Sequence, residues 1–177
     1  MPNEPTNDRL LKVTRLILTL LMGLTIVAAT VALLIIPILF VKRADVAADL
    51  AASRIDPAAI PSIALLLALG AVIATLGFFF FRHLRRIVDS VSQGDPFVPV
   101  NADRLRAMAW LSLAIQAALI AMTPLIYWFD ALPHKPNVHH NSDGISFGSL
   151  VLALLLFILA RVFRRGSEMR DELEGTV

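Results

Sequence analysis

The chain has no cysteine among its 177 residues, which excludes a disulfide framework, thiolate metal ligation and a cysteine nucleophile. It also lacks the short constellations that usually carry chemistry. No glycine-rich loop is spaced to cradle a phosphate, no helix carries the paired histidines of a zinc protease, and no serine sits in a glycine-framed nucleophile turn. No repeat or low-complexity tract occurs beyond an alanine-rich patch in the loop after Val41. The most consequential absence is charge. Four apolar runs, Leu16 to Val41, Ile63 to Phe81, Ala107 to Phe129 and Ile145 to Ala160, contain no charged residue, so the ionisable groups that mark most proton or ion pathways are missing. These absences predict a protein that is not an enzyme and that needs no cofactor.

What is present is apolar surface. With 57% hydrophobic and 17% charged residues, a soluble domain of this length would have more apolar surface than it could hide. A helix needs about 17–25 apolar residues to cross a bilayer, so the first three runs qualify outright. The fourth reaches that length if Val162 and Phe163 continue it while Arg161, Arg164 and Arg165 snorkel toward headgroups. The first run has a basic start at Arg9, Lys12 and Arg15, but it far exceeds the roughly 7–15 residues of a secretory signal core, so a retained anchor is expected. The fold class predicted is all-α: an integral membrane four-helix bundle forming one domain over 1–177, with spans at about 16–41, 63–81, 107–129 and 145–163.

The distribution of positive charge sets the orientation. Of sixteen Lys and Arg residues, twelve lie in three segments. These are the N-terminal stretch (Arg9, Lys12, Arg15), the middle loop (Arg82, Arg85, Arg86, Arg104, Arg106) and the tail (Arg161, Arg164, Arg165, Arg170). The other two loops hold Lys42, Arg43, Arg54 and Lys135. The positive-inside bias therefore places both termini, loop 82–106 and tail 164–177 in the cytoplasm, with Lys42 and Arg43 opposing the rule locally. In the first outer loop, Val46 and Leu50 suggest a short interfacial helix ending before Pro57, although so few apolar residues suit a solvated connector better.

Two inward features stand out. Leu84, Ile87, Val88 and Val91 keep a helical period past the second span until Gly94, where Asp95-Pro96 turns the chain. Asn101 is then expected to cap a helix running through Arg104 and Arg106 into the third span, with Asp103 in its first turn; together these form a cytoplasmic helical hairpin. The tail from Val162 to Leu173 also has helical period, and changes from basic near the membrane to acidic further out.

Within the spans, hydroxyls can bond a preceding carbonyl, so only Gln116 and Tyr127 call for an interhelical partner; Gln116 is expected to be packing glue. Pro37 and Pro124 bend their helices, and Gly70 with Ala74, Ala28 with Ala32, and Ala117 with Ala121 offer small faces for close approach. They do not choose between a monomer and a homo-oligomer. One outer loop gathers His134, His139 and His140 beside Asp130 and Asp143, a weak ligand set for zinc, nickel or copper, or a pH-responsive patch. His83, among arginines at the inner interface, reads as a headgroup contact, and the loop arginines are explained by topology and lipid attraction without nucleic acid.

The residues Gly94-Asp95-Pro96-Phe97-Val98-Pro99, then Asn101 to Arg106 and Ala109-Trp110, resemble a bacterial family of four-span membrane proteins, the domain of unknown function 2975 family. The tail, with Phe163-Arg164-Arg165-Gly166, Met169, Glu172, Leu173 and Thr176-Val177, is similar to the same family's closing motif. Val100 departs from the acidic residue expected there, as does the ending around Gly175 from the usual asparagine-aspartate-leucine. The resemblance implies no known activity. Because members are often encoded beside small helix-turn-helix regulators, it implies a regulatory or accessory protein of the bacterial inner membrane, partnered by a cytoplasmic transcriptional regulator. Independently of any partner, Gly94 and Pro96 would make a turn, and Phe97 would pack back on the interface. Two other readings stay open: a small transporter or channel subunit using Gln116, Tyr127 and the gap at Pro124, and an outward metal or pH sensor using the histidine loop.

Overall fold

A computed structural model of the chain describes residues 5–52, 59–93, 96–130 and 146–174. All five elements are α-helices: α1 (Pro5–Val41), α2 (Arg43–Ala52), α3 (Ile60–Ser92), α4 (Pro99–Asp130) and α5 (Phe147–Glu174), and no strand occurs among the described residues. Helix is the form a chain of this composition must take in lipid, where no water is available to satisfy exposed backbone groups. α1, α3, α4 and α5 are each long and apolar enough to span. At 1.5 Å per residue, the 33 residues of α3 reach about 50 Å, well beyond a hydrocarbon core of about 30 Å, so its charged end projects clear of the apolar run. The protein is a multi-pass membrane protein.

The helices pack in chain order, α1 on α3, α3 on α4 and α4 on α5, each antiparallel to the next. The start of α1, the end of α3, the start of α4 and the end of α5 consequently meet at one end, where the arginines gather. The packed core lies towards that end too: Leu105, Met108 and Ala109 of α4 and Leu156 and Ala160 of α5 are buried, with Phe80, Leu84 and Ile87 of α3 packed against them. α1 is peripheral. Leu18 is its only buried residue among those described, and Leu20, Leu24, Val27 and Leu34 face outward, a surface suited to lipid rather than water.

The hydroxyl groups behave as hydrocarbon demands. Thr19, Thr75 and Thr123 donate to the carbonyls of Arg15, Ala71 and Leu119 at 2.7, 2.8 and 3.1 Å. Several local features differ from expectation. The segment after α1, where a solvated connector was preferred, does form a helix, α2, but buries no residue. The helical tail expected from Val162 to Leu173 is formed, and continues the fourth span without a break as α5. Gly70 faces open space, so no close approach is made at that position; Gly77 instead faces Thr25 of α1, with 3.6 Å between the position of an added Cβ and the Thr25 methyl. α1 and α4 run on as helices through Pro37 and Pro124.

Candidate functional site at the arginine-rich end

α4 begins at Pro99, whose fixed φ suits a first helical position and whose missing N–H would have had no partner there. Asn101 consequently lies inside the first turn rather than capping it, and its backbone N–H reaches the Val98 carbonyl at 2.8 Å. Its side chain is released for a tertiary role. Completely buried, it donates from Nδ2 to Ser90 Oγ at 2.6 Å and to the Pro96 carbonyl at 2.9 Å, and accepts at Oδ1 from Arg104 Nη1 at 2.9 Å. Arg104 Nη1 also donates to the Arg86 carbonyl at 3.1 Å. One amide therefore ties the end of α3, the turn and the start of α4 together. A buried amide left without such partners would cost about 1–3 kcal/mol, so the network fixes one geometry for the hairpin.

Phe97 extends this unit to the tail. Its ring lies 5.3 Å from that of Phe163, tilted by 38°, and covers Gly166 so closely that an added Cβ would fall 2.9 Å from Cδ1 and 3.2 Å from Cε1. A glycine in a helix costs about 1 kcal/mol relative to alanine, and here it makes room for the ring. Arg164 Nη2 donates to Asp103 Oδ1 at 2.5 Å, which takes Asp103 out of its expected first-turn role and onto α5. Both partners are exposed, so the pair aligns the helices more than it stabilises them, contributing about 0–1 kcal/mol. On the opposite flank Arg15 of α1 forms an ion pair with Asp89, Nε to Oδ1 at 2.7 Å, and its guanidinium donates to Ser92 Oγ.

His83 lies two residues beyond the apolar run of α3, outside the spanning segment. Its Nδ1 is buried and without a hydrogen-bond partner among the described residues. Burial, then the charges of Arg86, Arg104 and Arg82, hold its pKa below the ordinary histidine value. Arg104 is likewise lowered by burial and by Arg86, partly offset by Asp89, but a guanidinium stays charged. A groove of about 290 Å³ runs between the end of α3 and the start of α4, with Arg86 and Arg104 beside Val98 and Val100.

Of the residues singled out by sequence, the structure brings Pro96, Phe97, Asn101, Arg104 and Gly166 together. Glu172 lies further along α5, on its exposed surface. Gly94 and Asp95 fall outside the described residues, as do His134, His139 and His140. Among the described residues no three His, Asp or Glu side chains converge to hold a metal. Gln116 is buried between α4 and α5, where Ser149 Oγ donates to its Oε1 at 2.5 Å. Tyr127 is 58% exposed and about 16 Å further along α4, so these two are not brought into one path.

A family model described as a protein of unknown function, DUF2975, matches residues 45–177. The chain belongs to the DUF2975 family. The match takes in α3, α4 and α5 of this DUF2975 protein, with the Asn101 network and the Phe97–Gly166 contact, and leaves α1 and its Arg15 outside. No curated protein and no solved structure matches the chain. Ser90, Ser149, Asp103 and Asp89 were not foreseen as partners of the site and its flanks. Gly166 was singled out only as part of the motif shared with the family; its contact with Phe97 was not foreseen, although a glycine inside an otherwise unbroken helical pattern is a signal that could have pointed to it.

Proposed function

We propose that this DUF2975 member is a non-enzymatic regulatory or accessory protein of a bacterial inner membrane. Its arginine-rich end faces the cytoplasm and docks a small soluble regulator of the helix-turn-helix type. The observation that carries this reading is the seating of Phe97 on Gly166 and Phe163, which joins the α3–α4 turn and the tail into one surface. Such a surface is apolar at Phe97 and Val100 and charged at Arg86 and Arg104, a composition suited to protein recognition. The positive-inside bias supports the orientation, because Arg15, Arg86, Arg104 and Arg164 all gather at that end.

A transport path along Gln116 has less support, since its carbonyl oxygen is already engaged by Ser149. The test is affinity purification of the intact protein from membranes. A helix-turn-helix regulator is expected to accompany the native protein and to be lost with Phe97→Ala or Arg104→Ala. An identical set of bound proteins in all three preparations contradicts the reading.

A further inference from the structure

We infer that the groove between α4 and α5 is a binding site for one anionic phospholipid, its phosphate held by Arg106, Arg161 and Arg164. The groove measures about 340 Å³ and is lined by those three arginines together with Ala102, Phe157 and Ala160. Arg164 has Asp103 as its partner, whereas Arg106 and Arg161 have neither a hydrogen bond nor an ion pair among the described residues. Three cations line the groove and one exposed carboxylate pairs with one of them, which leaves a surplus of positive charge. Arginine forks match phosphate oxygens in shape as well as in sign.

Depth and floor select a lipid over a free anion. Arg106 immediately precedes the third apolar run and Arg161 immediately follows the fourth, so both stand at the boundary where headgroup phosphates lie. One turn deeper on each helix, Trp110 and Phe157 meet edge to face at 5.5 Å. Trp110 is 60% exposed, as expected of a tryptophan at a membrane interface, and Leu154 is exposed one turn further along α5. An acyl chain leaving the arginines therefore has an apolar surface to follow, which inorganic phosphate would not use. The sequence gives both arginines an ordinary topogenic explanation; their convergence from two helices over an aromatic shelf appears only in the fold.

Trp110 is the natural reporter. In the full chain carrying Trp128→Phe it is the sole tryptophan, and bromine on a lipid chain quenches it on contact. The protein is reconstituted in dioleoylphosphatidylcholine vesicles containing graded amounts of brominated phosphatidylglycerol or brominated phosphatidylcholine. The expected result is a preference for the anionic lipid of about fivefold or more, the factor of one cation beside an anionic surface. Arg106→Gln with Arg161→Gln brings it to about one, and the paired lysine variant at the same positions retains it. Arg82→Gln with Arg165→Gln, which removes equal charge outside the groove, also retains it. Equal quenching by both lipids in the parent protein overturns the inference, as does equal loss in the two glutamine pairs. Relief of quenching by inorganic phosphate at matched ionic strength would assign the groove to a free anion instead.

Discussion

Introducing a methyl group at Gly166 sets two effects of similar size against each other. Alanine favours the helix over glycine by about 0.8–1.0 kcal/mol. Against that, its Cβ would sit 2.9 Å from Phe97 Cδ1, a distance that forces the ring to move, and overpacking of this kind costs about 1–3 kcal/mol. Gly166→Ala alone is therefore expected to be neutral or to destabilise by up to about 2 kcal/mol. Phe97→Ala removes the stack on Phe163 and a ring that is 42% exposed, a loss of about 1–2 kcal/mol. With the ring gone the clash disappears, and Gly166→Ala should stabilise by about 1 kcal/mol. The two substitutions are thus coupled by about 1–3 kcal/mol. Reversible unfolding of the four proteins in mixed dodecylmaltoside and dodecyl sulfate micelles, followed by tryptophan emission and circular dichroism, measures the cycle. Additivity within about 0.5 kcal/mol would refute the contact and the joining of hairpin to tail built on it.

Asn101→Leu should cost about 2–3 kcal/mol in the same titration, because the Pro96 carbonyl and Arg104 lose a buried partner; a change under about 0.5 kcal/mol would contradict the network. Gln116→Leu is expected to cost about 0.6 kcal/mol and no more than about 1.7 kcal/mol, the range of interhelical bonds in lipid, since Ser149 retains the Ser146 carbonyl as an acceptor. A larger loss, or solute flux through reconstituted native protein that the substitution abolishes, would count against a packing role. His83 gives a pH dependence with a definite sign. Folding lowers its proton affinity, so below about pH 6.5 the unfolded chain binds more protons than the folded one. Stability should fall as pH drops from about 6.5 towards the folded pKa and level off beneath it. The dependence should be flatter in His83→Gln; identical profiles for the two proteins would remove the assignment.

The spans were legible because each is an uncharged run whose length matches the bilayer, a constraint that leaves the chain little choice. The helical extension to Ser92 was equally open to reading, since Leu84, Ile87 and Val88 keep their period past the last uncharged residue. The start of α4 was misplaced because two capping signals compete there: Asn101 is a good cap, but Pro99 is a better first residue, and an earlier start turns Asn101 inward. Phe97 illustrates a different limit. An aromatic residue after a turn must cover something, yet whether that is lipid, its own hairpin or α5 depends on how the fourth span is placed, which local pattern does not encode. The same holds for Asp103, whose first-turn position would have suited the helix dipole but whose carboxylate lies nearer Arg164. Gly166 entered only through the motif shared with the family, yet an interior glycine in a helix weakens it unless something needs the space, and here the Phe97 ring does.

Sidedness of the arginine-rich end bears most directly on the docking role. The native chain has no cysteine, so a single introduced thiol reports without background. Val100 on α4 and Met169 on α5 are both exposed at that end. Val100→Cys and Met169→Cys are each treated with a membrane-impermeant maleimide, in intact spheroplasts and in inverted membrane vesicles. Both thiols should react in the inverted vesicles and be protected in spheroplasts. Labelling of either one from the outside, or of the two from opposite sides, would contradict a shared cytoplasmic surface.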